Sequence, residues 1–161
     1  MYPLYFLMIS SLVLEGGRKL VKNPSPARLL KLVRSGKNVV WIDAQDPTDK
    51  DYEFLRAAFG LHPLTIDDCR QDLEMPKTEN FNKYLFVGFH KVQYDRENRE
   101  IELAEVDSIL GKNYLVTVHR GERPSVVSLR KRIEDNPKAM LRGADFLLHS
   151  LMDYIIDEYL P

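Results

Sequence analysis

"YLFVGFHKVQYDRENREIELAEVDSILGKNYLVTVHR", Tyr84 to Arg120, is the stretch whose reading decides the fold. Three strand-like segments run through it: Tyr84 to Asp95, Glu100 to Leu110 and Tyr114 to Arg120. "RENR" and "GKN" join them, both short enough for tight connections, so the stretch predicts an antiparallel meander. On either side the period returns to that of helices.

Upstream, Tyr5 to Leu14 is rich in β-branched, aromatic and aliphatic residues and ends at Gly16-Gly17, as a buried strand would. In "NPSPARLLKLVRSGKN", Ser25 is a good N-cap, Pro26 suits the first helical position, and Gly36 sits where a C-terminal glycine belongs. "VVWIDA" reads as a short buried strand. "DPTDKDYEFLRAAFG" repeats the helical pattern, with Thr48 as cap and Gly60 as stop. "HPLTIDDCRQDLEMP" predicts a second short helix, opened at Pro63 and closed by Pro76. Downstream, "RPSVVSLRKRIEDNP" and "GADFLLHSLMDYIIDEYLP" predict two more. The order β(β)αβααβββαα gives an α/β protein, one mixed sheet with helices covering it. No repeat, low-complexity segment or linker divides residues 1–161, so the chain is one domain.

Composition narrows the function. With 23 Lys+Arg against 24 Asp+Glu, the net charge of -1 argues against a nucleic-acid binder. One cysteine, Cys69, permits no internal disulfide and fits a reducing compartment. The longest uncharged stretch, Met1 to Leu14, is too short to span a bilayer and lacks a basic flank, so the chain as given reads as soluble. In the last helix Leu147, Leu148, Leu151, Met152, Ile155, Ile156 and Tyr159 form a wide apolar stripe, with Asp153 and Asp157 opposite. No glycine or asparagine caps that helix before Pro161, which predicts that it continues further.

Two acidic features stand out. Asp67 and Asp68 are adjacent in what reads as the first turns of a helix, where the dipole would offset their repulsion. Successive helical residues point about 100° apart, which disfavours a convergent catalytic pair. A divalent cation at an interface stays open, since Mg2+ keeps several waters and needs only one or two carboxylates. On the last helix, His149, Asp153 and Asp157 have the spacing His-x3-Asp-x3-Asp, which suits either a transition metal or a solvated face. His62, His90 and His119 show no metal spacing; His62 precedes a proline and reads as a helix cap, and His119 ends a strand. "RKR", Arg130 to Arg132, reads as solvated surface. No nucleophile elbow, P-loop, dinucleotide fingerprint or Cys-x-x-Cys occurs, and acids around Cys69 raise its pKa, so the chain is not read as an enzyme.

"WIDAQDPT", "FGLHPLTIDDCRQDLEMPKTENFNKYLFVGF", "LGKNYLVTVHR" and "GADFLLHSLMDYIIDEYLP" stand in this order. Together they resemble the cytoplasmic N-terminal domain of the CorA family of magnesium and cobalt transporters, from about Trp41 to Pro161. The resemblance implies an α/β/α sandwich around a mixed, partly antiparallel sheet. It also implies a stalk helix and two transmembrane helices beyond residue 161, a homopentamer, and a place at the cytoplasmic face of the inner membrane. In the family Mg2+ flows passively inward, and hydrated cations bound between neighbouring domains hold the pore shut. The implied intersubunit, low-affinity site has Asp68 as principal ligand, Asp67 as its acidic neighbour and Asp153 as a further carboxylate, with Asp157 and His149 as additional candidates. The implied ions are Mg2+ and Co2+.

A zinc-transporting relative, with Zn2+ at the His149 face, is the nearest alternative. A soluble metal-dependent hydrolase would need a third partner for Asp67 and Asp68 that the sequence does not offer. An interaction domain with purely structural acids is the remaining reading.

Overall fold

The computed structural model describes residues 8–72, 75–95 and 99–159. Seven strands form one sheet: β1 (Ile9–Glu15), β2 (Lys19–Lys22), β3 (Val39–Gln45), β4 (Lys77–Asn80), β5 (Leu85–Asp95), β6 (Glu100–Leu110) and β7 (Tyr114–His119). Their order is β2-β1-β3-β7-β6-β5-β4. The β3–β7 pair is parallel and every other pair antiparallel, so the sheet is mixed as the sequence implies. Tyr84 to Arg120 folds as the expected meander. Its "GKN" turn is closed by the Gly111 amide donating to Tyr114 O, whereas residues 96–98 of the "RENR" connection lie outside the described residues.

Side chains alternate across strands, so the sheet feeds two cores. Val13, Ile42, Val116, Phe86 and Ile109 pack under α1 (Pro26–Arg34), α2 (Asp49–Phe59) and α3 (Pro63–Arg70). Leu12, Trp41, Leu115 and Val106 face the other way, under α4 (Pro124–Asp135), a 3-10 helix (Pro137–Arg142) and α5 (Ala144–Asp157). The result is an α/β/α sandwich, with α3 and α5 on opposite sides of the sheet.

Local capping behaves as read. Ser25 Oγ accepts from Arg28 N with Pro26 at the helix start, and Gly36 has a φ of 66°. Thr48 and Asp51 form a reciprocal capping box at α2, which ends at left-handed Gly60. His62 does cap a helix: its Nδ1 accepts from Leu64 N at 3.2 Å.

Other boundaries move. The first strand begins at Ile9 among the described residues, with Tyr5 to Leu7 outside them. Helix α3 does not reach Pro76; it stops at Arg70, and Gln71 is extended with φ -106° and ψ 146°. The reason is remote. The Tyr52 hydroxyl donates to Cys69 O at 2.8 Å, and Arg120 donates to Arg70 O at 2.6 Å. Two of the last carbonyls are thus satisfied from other elements and need no further turn. The chain can then enter β4, a strand the sequence pattern does not announce. In α5 the buried stripe is narrower than expected: Leu147, Leu148, Leu151 and Ile155 are buried, while Met152, Ile156 and Tyr159 are exposed. "RKR" is not uniformly solvated either. Arg130 lies half-buried over Trp41, 5.1 Å from the ring centroid, and donates to Ser10 Oγ.

Candidate functional site

The eight residues of α3 carry no acid in their first turn. Asp67 and Asp68 fall in the second half, toward the negative end of the helix, so the dipole does not explain the paired aspartates. Cys69 seals α3 to the sheet from inside, with Ile66 beside it, which leaves Asp67 exposed and Asp68 half-buried. What tolerates Asp68 is a cation from the neighbouring strand. Lys77 on β4 places its ammonium 2.6 Å from Asp68 Oδ2 and 3.0 Å from Glu79 Oε2. Hydrogen bonds to Asp68 and then Glu79 raise the Lys77 pKa above its ordinary value. Sequence reading misses this partner, although Lys77 belongs to the "PK" pair beside the acidic segment.

Across the sheet, Asp153 on α5 lies 3.2 Å from His149 Nδ1, both well exposed at 57% and 71%. They border an open groove of about 570 Å³ with Arg132, Arg142, Asp145 and Phe146. Asp157 is exposed one turn further on. Among the described residues no three His, Cys, Asp or Glu side chains are placed to hold one metal ion. The fold therefore brings Asp67 and Asp68 together on one side and His149 and Asp153 on the other. It does not join the two pairs within a chain.

A second acidic place escapes the sequence reading. A cavity of about 310 Å³ beside α3 is lined by Tyr52, Cys69, His90, Glu105, Asp107 and His119, among others. Asp107 is only 3% exposed. Burial, followed by the Glu105 charge, raises its pKa to about 9. Burial likewise pushes the Cys69 thiol well above its ordinary value, with Asp107 and Asp68 adding to it, so Cys69 is no nucleophile. The three strand and loop histidines have separate duties. His90 Nε2 sits 3.7 Å from Glu105 Oε2, His119 Nε2 is 3.1 Å from Asp43 Oδ1, and His62 caps α3. The signal for this cavity was present: the positions of β6 facing α3 read Ile101, Leu103, Glu105, Asp107, Ile109, an apolar row broken by two acids.

Residues 36–161 match the family model described as CorA-like Mg2+ transporter protein. The chain is 34% identical over 122 residues to the putative metal ion transporter YfjQ of Bacillus subtilis, covering 75% of this chain and 37% of that protein. It is 32% identical over 124 residues to the cobalt/magnesium transport protein CorA of Thermotoga maritima, covering 76% of this chain and 34% of that protein. The chain thus spans about a third of these relatives' length. Among solved structures, the soluble domain of CorA from Methanocaldococcus jannaschii superposes with a TM-score of 0.68 at 18% identity, over 92% of this chain and 56% of that one. The ZntB cytoplasmic domain from Vibrio parahaemolyticus gives 0.60 at 12% identity, over 76% of this chain and 50% of that one. These two likenesses establish the fold. Among the described residues no helix is long and apolar enough to cross a membrane.

Proposed function

The chain belongs to the family of CorA-like Mg2+ transporter proteins, and from that premise we propose that it is the cation-sensing cytoplasmic domain of a Mg2+ and Co2+ channel. In this reading residues 1–161 form one regulatory unit, followed by a stalk helix and two membrane-spanning helices. Five copies assemble at the inner membrane, and Mg2+ enters passively. Hydrated Mg2+ held between neighbouring copies by Asp67, Asp68 and Asp153 keeps the pore shut. The channel performs no catalysis.

One observation carries the reading. The acids of α3 and those of α5 lie on opposite faces of one sheet, so a single chain cannot bring them to one ion. Copies packed head to tail present the α3 face of one to the α5 face of the next, the kind of contact that forms a ring when its rotation closes. Loss of the ion then leaves carboxylates facing each other across the junction, and the repulsion loosens it. A site of few carboxylates and retained waters is weak, as a sensor of an abundant ion must be.

The test is Asp68→Asn in the full-length protein, reconstituted in vesicles with a Mg2+-sensitive dye. Uptake should persist, and closure by internal Mg2+ should need a higher concentration. Unchanged inhibition would remove Asp68 from the sensor. The His149–Asp153 contact at 3.2 Å favours a second reading, a zinc-handling relative in which an imidazole, a ligand that suits zinc, stands beside a carboxylate. Uptake of Zn2+ in preference to Mg2+ in the same vesicles would establish it.

A further inference from the structure

Lys77 is flanked by two acidic side chains. Its ammonium lies between two carboxylates on different turns of the chain, 2.6 Å from Asp68 and 3.0 Å from Glu79. Asp68 comes from the end of α3 and Glu79 from the same strand as Lys77, two residues on. The arrangement is half open: the Lys77 and Asp68 side chains are 37% and 20% exposed. An ion pair of this exposure is weak and reversible, and water has access to it. The lysine is also tethered, so its local concentration near Asp68 stays fixed whatever the ionic composition outside.

We propose that Lys77 is an internal competitor for the cation at Asp68, and that it sets the concentration at which the sensor fills. This rests on the reading of Asp68 as the principal sensing acid. When no divalent ion is bound, the ammonium neutralises Asp68. When one arrives, its charge and that of Lys77 repel at close range, and Lys77 must turn away to Glu79. Glu79 is the resting place that makes this exchange inexpensive. Lys77 thereby acts twice: it weakens cation binding, and it softens the repulsion left behind after the ion departs. It is a positioning residue that acts through Asp68.

The experiment uses the full-length protein in vesicles, with internal Mg2+ as the titrant and dye-reported uptake as the signal. Lys77→Gln removes the competitor, and half-closure should occur at about fivefold lower Mg2+, the scale of a partly exposed pair. Uptake in the absence of internal Mg2+ should rise, because Asp68 is then unneutralised. Glu79→Gln takes away the resting place, confines Lys77 to Asp68, and should move half-closure to about twofold higher Mg2+. Lys77→Arg keeps the charge and should stay near the parent value. A purely structural lysine would not shift the two charge-altering variants in opposite directions. If Lys77→Gln fails to assemble, Glu79→Gln and Lys77→Arg carry the test. Should Asp68→Asn weaken closure while Lys77→Gln leaves half-closure unchanged or higher, the competitor role is overturned and the sensor assignment stands. Should Asp68→Asn have no effect, both fall together.

Discussion

The Tyr159 hydroxyl accepts a hydrogen bond from Val92 N at 2.9 Å and donates one to His90 O at 3.0 Å. Strand β4 pairs with β5 only as far as Gly88, and among the described residues no strand pairs with that edge of β5 beyond it. Tyr159 satisfies the next two backbone groups in place of a strand. Beside it, Lys91 and Glu158 form an ion pair at 2.7 Å. The end of α5 is therefore fastened to the edge of the sheet. Any segment continuing from α5 sets out from a fixed position.

Tyr159→Phe removes both bonds and leaves the ring. The global stability change should be small, about 1 kcal/mol or less, because the site is partly exposed. The local effect should be large. Exchange of the Val92 amide with deuterium, followed by NMR, should accelerate at least about tenfold while the amides of β7 keep their rates. Equal protection of Val92 in both proteins would mean that Tyr159 does not close this edge.

Asp107 predicts an unusual pH profile. The folded chain keeps a proton on Asp107 up to about pH 9, whereas the unfolded chain releases it near ~3.9. Between those values the folded state binds more protons than the unfolded one. Stability therefore falls as pH rises through this window, by at most about 1.4 kcal/mol per pH unit from this group. Asp107→Asn keeps the shape and removes the titration. Melting curves at pH 6, 6.5, 7 and 7.5, below the range in which the Cys69 thiol titrates in the unfolded chain, should show the parent losing stability with rising pH more steeply than the variant. Parallel profiles would refute the assignment.

The turn from β6 to β7 leaves no room for a side chain at Gly111. A Cβ there would overlap the Tyr114 ring, which packs against Phe59 with centroids 4.6 Å apart. Gly111→Ala should displace that ring and cost about 1–3 kcal/mol, the usual scale of overpacking. The check is the urea midpoint, read alone and with Tyr114→Leu. The smaller side chain relieves the overlap, so the two effects should be less than additive.

Much of the fold is legible in the residues. The meander shows itself because Tyr84 to Arg120 changes period, and side chains in strands alternate between two cores. The helix starts show themselves because Ser25, Thr48 and His62 satisfy backbone groups within three residues of themselves. Strand β4 stays hidden because "KTEN" has no apolar row of its own; its pairing with Leu85 to Gly88 alone makes it a strand. The candidate site is legible in part. Asp67, Asp68 and Asp153 can be singled out from the sequence, but not the partner that neutralises Asp68.

The sequence by itself determined the local grammar: caps, turns, strand periods, and the resemblance that the family match bears out over residues 36–161. Tertiary structure alone decided where α3 ends, since Tyr52 and Arg120 supply donors to Cys69 O and Arg70 O from far along the chain. It alone placed Lys77 on Asp68 and buried Asp107 beside Glu105. It also separated the two acidic pairs by a full sheet. Hydrogen bonds within a few residues are written in local order, whereas charge pairing and burial depend on which distant segments the sheet brings together.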